Sequence, residues 1–235
     1  MTNEHIVKAF SDDLLNIKNS ILEMGGEVEK QLHNSIESLV NNDSSSCEEI
    51  IAKDNSIDEL QIRIQADVEK MIALKHPIAN DLRNVLSAMQ IARDLERVGD
   101  LAKNIAKRVI ISSKYAKIES LNMEEYGALA KSLLHDALDA FVEEDKGKAM
   151  KVWREDYKLD VKYTQIFEKL IEEMDNDPSI IIPGSQISFA LKNIERIGDH
   201  ATNIAEDVIF NLTGERPKEE REKSQYEGNW KWIKL

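Results

Sequence analysis

The chain has 235 residues, 42% hydrophobic and 32% charged, with 31 Lys and Arg against 44 Asp and Glu for a net charge of −13. That length suits one large or two small domains with a proper core, and the acidic balance argues against a nucleic-acid backbone as partner. An acidic surface more naturally meets cations or a basic patch on another protein.

Only 9 Gly and 4 Pro stand among abundant Leu, Ile, Glu, Lys and Ala, a mixture that favours helix over strand. The single Cys47 cannot form an internal disulfide and fits a reducing compartment. The opening MTNEHIVKAFSDDLL has neither the basic nor the apolar region of a signal peptide, and no apolar run reaches membrane-spanning length. The expectation is a cytoplasmic protein that reaches the inner face of a membrane only through partners.

Periodicity predicts six helices. In the first, Phe10, Leu14, Ile17, Ile21, Met24, Val28 and Leu32 step by four and three, and Ile36 and Leu39 extend the stripe. It ends near the polar run NNDSSS (41–46), which suits a turn followed by an N-cap. The second spans about 47–74 and breaks at His76-Pro77, because a proline pushes the preceding residue out of the α region. The third runs from about Pro77 to Ser112.

The second half repeats this plan. A helix over about 122–144 carries Tyr126, Leu129, Leu133 and Ala137; another over about 147–174 stops before DNDPSIIIPGS. The last runs from about Ser185 to Thr213, with Gly214 as the residue that closes it. The predicted architecture is therefore all-α, two tandem three-helix bundles at 1–114 and 115–214, then a charged tail at 215–235 bearing Trp230 and Trp232.

The two halves are related. LERVGDLAKNIA (95–106) returns as IERIGDHATNIA (194–205), an offset of 99 residues, and 10 of 20 positions agree between 91–110 and 190–209. This reads as an internal duplication. In each copy two acids and an amide lie one turn apart along a ridge beside the apolar seam: Glu96, Asp100 and Asn104, then Glu195, Asp199 and Asn203. On one helix alone, with Arg93, Arg97 and Lys107 close by, the ordinary interpretation is a solvated face of little energetic worth.

The second helix of each half argues for more. Its stripe reads Ile50, Asp54, Ile57, Gln61, Ile64, Val68, Met71, and its later counterpart Val152, Asp156, Leu159, Tyr163, Ile166, Leu170. An Asp stands in each apolar seam, followed one turn on by Asp58 or Asp160. An ionised carboxylate in a core is costly unless it is paired or holds a metal, so cations are required, either Arg and Lys or metal ions. A set of oxygen ligands suits Mg, Mn, Ca or iron and argues against a closed structural zinc site.

Gly99 and Gly198 in mid-helix serve either a close helix approach or room for a ligand. His200 stands beside Asp199 where the first copy has Leu101, and a lone helical His is more often structural than a ligand. No nucleophile-and-base set or phosphate loop is present in the sequence.

The duplicated E-R-[VI]-G-D-x-A-x-N-I-A phrase, the Asp54-x-x-x-Asp58 and Asp156-x-x-x-Asp160 pairs, and the stretch PIANDLRNVLSAMQIARDLERVGDLAKNIA (77–106) together resemble the PhoU family. The resemblance covers roughly residues 5–213 and implies two three-helix bundles holding multinuclear metal clusters. Its metal-binding motifs fall on Asp54, Asp58, Glu96 and Asp100, and on Asp156, Asp160, Glu195 and Asp199. It further implies a non-enzymatic, often dimeric accessory of a phosphate ABC transporter. Such a protein represses phosphate uptake and the starvation response by contacting the transporter's ATPase subunit and a sensor histidine kinase.

Two departures are visible: the tail extends past the usual family end, and Leu101 and Lys107 replace His200 and Glu206, making the first site less acidic. Two rivals stand beside this. A ferritin-like di-metal enzyme needs Glu-x-x-His, but Gly99 and Gly198 follow Glu96 and Glu195 at that spacing. The other is an accessory of a different phosphate or cation carrier.

Overall fold

The computed structural model describes residues 2–119 and 121–218, with side chains from Phe10 onward. Trp230, Trp232 and the rest of the tail after Lys218 lie outside the described residues. The described chain forms seven α-helices: α1 Thr2–Asn41, α2 Cys47–Lys75, α3 Asn80–Ser112, α4 Met123–Glu143, α5 Lys146–Glu155, α6 Tyr157–Asn176 and α7 Ile181–Thr213. Among the described residues there is no strand.

The predicted stripes are the buried ones. Ile17, Ile21, Met24, Val28, Leu32, Ile36 and Leu39 of α1 are buried, as are the α3 and α7 seams from Leu95 to Val109 and from Ile194 to Val208. The helices α1, α2 and α3 pack on one another, while α4, α5 and α6 pack against α7. Two three-helix bundles result, with α5 and α6 together serving as the middle helix of the second. The most extensive contact in the molecule is α3 on α7, with α1 on α4 beside it, so one continuous apolar core runs through both halves. The two copies of the repeated phrase therefore lie on the pair of helices at the centre.

The ends of the helices show how local chemistry stops them. Ser46 occupies the N-cap position of α2, but its hydroxyl meets Ser38 Oγ at 3.1 Å instead of capping, while Asp43 accepts from Ser45 within the turn. His76 leaves the right-handed region (φ 48, ψ 54), as its proline neighbour demands, and its N–H still reaches Ile72 O. Gly214 closes α7 at φ 76 with its N–H on Phe210 O at 2.8 Å, a left-handed position where glycine carries no Cβ penalty.

Three boundaries differ from expectation. The third helix begins at Asn80, because Ala79 sits at φ 48, ψ −114 and cannot join a helical turn. The last helix begins at Ile181, four residues before Ser185. Its Pro183 falls in the first turn, where a missing N–H breaks no intrahelical bond. The fifth predicted helix is interrupted at Asp156. Backbone angles there stay helical (φ −55, ψ −36), yet Asp156 O accepts from Leu159 N at 2.8 Å and only distantly from Asp160 N at 3.4 Å. The ladder tightens to a three-residue step at the buried acid, a local 3₁₀ turn.

Candidate functional site

In the first half, the four predicted acids gather where α2 meets α3. Asp54 is buried at 3% exposure, while Asp58, Glu96 and Asp100 are half-buried around it. Lys103, one turn past Gly99, projects its ammonium between two of them. Its Nζ donates to Asp54 Oδ2 and to Asp100 Oδ1. Gln31 of α1 donates from Nε2 to the other oxygen of Asp54 at 3.4 Å and to Ile50 O at 3.2 Å. Both oxygens of the buried carboxylate are thus satisfied from within the chain. Burial opposes the charge on Lys103, but its bonds to Asp100 and Asp54 outweigh that and hold its pKa above the usual lysine value.

The remaining acids are less well served. Burial, then the nearby Asp54, pushes the Asp58 carboxyl up from its ordinary range. Glu96 is pushed up by burial too, with Arg97 opposing the shift and Asp100, Asp58 and Asp54 reinforcing it. Arg97 lies at the rim, 3.3 Å from Glu96 and 3.5 Å from Asp100.

The second half repeats the arrangement with one change of chemistry. Asp156 is buried at the junction of α5 and α6, Asp160 and Glu195 are half-buried, and Asp199 is exposed. Lys192 pairs with Glu195 at 2.6 Å and lies 5.5 Å from the centre of the Tyr163 ring. Tyr126 of α4 is fully buried and donates from its hydroxyl to Leu191 O at 3.1 Å. Burial raises the pKa of that hydroxyl, and the charges of Glu195, Tyr163, Asp160 and Asp156 raise it further. At the offset of 99 residues, the place of Lys103 belongs to Thr202, buried at 1% exposure with no hydrogen-bond partner for Oγ1.

The structure therefore gathers Asp54, Asp58, Glu96 and Asp100 in the first half and sets Asp156, Asp160 and Glu195 near Tyr126 in the second, while Asp199 stands exposed on α7. Among the described residues no group of three or more His, Cys, Asp or Glu side chains is arranged to hold a metal ion as it stands. In the first cluster a cation is already present, the ammonium of Lys103.

The repeated glycines serve close packing. A Cβ on Gly99 would stand 3.2 Å from Gln31 Oε1 and Ile57 Cδ1; on Gly198 it would stand 2.5 Å from Leu159 Cδ2 and 2.8 Å from Asp156 Oδ1. Ile57 and Leu159 are themselves counterparts, one turn after Asp54 and Asp156.

Two buried acids that periodicity does not single out, Asp94 and Asp207, anchor further polar contacts of α7, the first of them across the two halves. Asp94 of α3 is buried and meets His200 Nδ1 of α7 at 2.7 Å, with Asn203 Nδ2 at 3.4 Å. His200 and Asn203 thus tie α7 to Asp94 of α3, a polar bridge between the two bundles. Farther along α7, buried Asp207 takes Arg216 Nη2 at 2.9 Å, and Glu206 accepts from Arg216 Nη1 and from Trp153 Nε1. Neither Asp94 nor Asp207 has an acidic counterpart in the duplicate (Asn193 and Arg108), which removed the repeat as a signal. Lys103 lies inside the quoted phrase at i+3 from Asp100, and that spacing was its signal.

Fold and site together define an internally duplicated helical protein carrying one carboxylate cluster per half. The family model for the PhoU domain matches twice, at residues 21–109 and 123–208. The chain is 38% identical over 222 residues to the phosphate-specific transport system accessory protein PhoU homolog of Caulobacter vibrioides, covering 94% of this chain and 96% of that protein. It is 39% identical over 225 residues to the homolog of the same description from Rhizobium meliloti, covering 95% of each.

Among solved structures, PhoU from Pseudomonas aeruginosa superposes with a TM-score of 0.84 at 32% identity, over 88% of this chain and 100% of that one. The phosphate transport system regulatory protein PhoU from Streptococcus pneumoniae gives 0.82 at 31% identity, over 89% and 100%. This chain belongs to the PhoU family.

Proposed function

We propose that this protein is a non-enzymatic accessory of a phosphate ABC transport system, lowering phosphate uptake and repressing the starvation response when phosphate is plentiful. The single observation that carries this is similarity along nearly the whole chain to phosphate-transport accessory proteins, with the repeated motif present in both halves. Its partners are the ATPase subunit of the transporter and a sensor histidine kinase, met in the cytoplasm at the inner face of the membrane. None of the helices described is long and apolar enough to cross a membrane. The working form is a homodimer, which light scattering on the purified protein checks.

Deleting the gene from its host tests the role. Phosphate uptake and a starvation-responsive reporter should both rise in phosphate-rich medium, and return on re-expression. Unchanged uptake and a silent reporter would remove the proposal.

A divalent cation held by carboxylates is part of the same reading. The acids of each half offer the oxygen donors that hard divalent ions take, and in the first half Lys103 already bonds Asp54 and Asp100. A bound ion would neutralise the cluster and give the accessory surface a fixed charge for docking. A ferritin-like enzyme finds no support, because the position its histidine requires is glycine in both halves, packed against Ile57 or Leu159.

A further inference from the structure

The net charge of −13 is not spread evenly along the chain. From Leu101 to Ile118 there are five Lys and Arg and no acid, and from Pro178 to Ile194 one lysine and no acid. We propose that the face formed where these two stretches meet binds an anionic lipid surface directly, laying an acidic protein on a membrane by a basic, partly apolar end.

The packing of α3 on α7 brings the two stretches together. Asp94 meets His200 and Arg108 meets Gln186, so the two helices run in opposite directions and the last turns of α3 lie beside the first turns of α7. Arg108 Nη1 donates to Gln186 Oε1 at 3.3 Å, and its guanidinium stands 4.8 Å from the centre of the Phe189 ring. Ile182 lies one turn before Gln186. On the α3 side Lys107 and Ile111 share a face one turn apart, and Lys114 and Tyr115 follow in the turn that ends the helix. Phe189 is 53% exposed, Ile182 51%, Tyr115 39% and Ile111 37%. Large apolar side chains gathered in water beside cations have the composition of a docking surface.

The acids that border these stretches are already engaged. Asp100 bonds Lys103, Glu119 lies 3.4 Å from Lys117, and Glu195 lies 2.6 Å from Lys192. Asp177 accepts from the Ser179 N–H at 2.9 Å. Asp43, next to the Asn42 that donates to Tyr115 O, accepts from Ser45. Lys107 and Lys114 are exposed and have no ion-pair partner among the described residues. Their charges are therefore available to something outside the chain.

Anionic headgroups fit this face better than a protein carboxylate or a second copy. Carboxylates are matched by the bidentate fork of arginine, and Arg108 is held by Gln186 and Phe189. What faces outward is lysine, a point charge on a flexible stem that meets a plane of phosphates without a fixed geometry. Ile111, between the two lysines, enters the headgroup layer as their stems reach past it. A second copy would set like charges against each other, and the acidic remainder of the molecule is repelled by an anionic bilayer in other orientations. No described helix is long and apolar enough to cross a membrane, so this contact is peripheral.

Purified full-length protein is sedimented with phosphatidylcholine vesicles made with and without phosphatidylglycerol. Binding should require phosphatidylglycerol and fall as salt is raised. Lys107→Gln with Lys114→Gln should weaken it about 30-fold, roughly fivefold for each charge lost. Ile182→Ser should weaken it severalfold through lost apolar contact. Lys30→Gln with Lys70→Gln removes the same charge from α1 and α2 and should change nothing.

Equal binding to both kinds of vesicle overturns the proposal, as does a Lys107/Lys114 variant bound as strongly as its charge-matched control. Binding to neither overturns it too; if soluble polyglutamate is then bound through the same two lysines, the face belongs to an acidic protein instead. Circular dichroism of every variant records its helicity, and the lipid and salt dependence of the wild type decides the matter should a variant not fold. None of these outcomes bears on the role in phosphate transport, which the gene deletion tests separately.

Discussion

Replacing Gly99 or Gly198 by alanine makes the same chemical change at the same motif position, yet the two halves should respond differently. Alanine in place of a mid-helix glycine adds roughly 1 kcal/mol of helix stability through propensity alone. At Gly198 the new methyl would stand 2.5 Å from Leu159 Cδ2, a side chain with 0% exposure and nowhere to swing, and 2.8 Å from the carboxylate of Asp156. Overpacking of this kind costs about 1–3 kcal/mol.

The net for Gly198→Ala is a loss of up to about 2 kcal/mol once the propensity gain is subtracted. At Gly99 the nearest atoms are at 3.2 Å, so Ile57 and Gln31 need to give by only a few tenths of an ångström. There the steric cost and the propensity gain cancel to within about 1 kcal/mol. Urea unfolding followed by far-ultraviolet circular dichroism measures both. A Gly99→Ala variant that loses as much stability as Gly198→Ala would refute the packing role assigned to this contact.

Burial pushes the Asp207 carboxyl up to about 6 from an ordinary 3.8, with Arg216 opposing and Asp94 and Glu206 assisting the shift. A raised folded-state value means stability present below the unfolded value and lost as pH rises between about 4 and 6. Asp207→Asn should therefore match wild type below pH ~4 and exceed it above pH ~7 by up to about 3 kcal/mol; a pH-independent difference would sink this. Removing the guanidinium in Arg216→Ala leaves that buried carboxylate unpaired, so thermal stability at pH ~8 should fall by about 2–4 kcal/mol and recover on acidification. Tyr126→Phe deletes a buried hydroxyl donor to Leu191 O and should cost about 1 kcal/mol in urea unfolding with the helices intact; no change would mean the bond carries nothing.

Helix type, the apolar stripes, the duplication and the positions of all eight acids were legible in the amino-acid order, because each depends on spacing along one helix or on comparing two stretches. The break at His76-Pro77 and the stop at Gly214 were legible for the same reason: both act on their own backbone. The interruption at Asp156 was not, since its backbone angles remain helical and only the hydrogen-bond ladder changes. Nor was the start of α7 at Ile181, where a proline reads as a breaker unless its place in the first turn is known.

What neutralises each buried acid was decided by tertiary structure alone. Asp54 meets Lys103 from a helix 49 residues away and Gln31 from another 23 residues away, and Asp94 meets His200 at a separation of 106. Periodicity assigns a residue to a face, but it does not say which face of another helix lies opposite. That pairing follows from the packing of α3 on α7 and of α1 and α2 on α3. The acids were therefore written in the chain, while the lysine that bonds Asp54 reached it only when the helices came together.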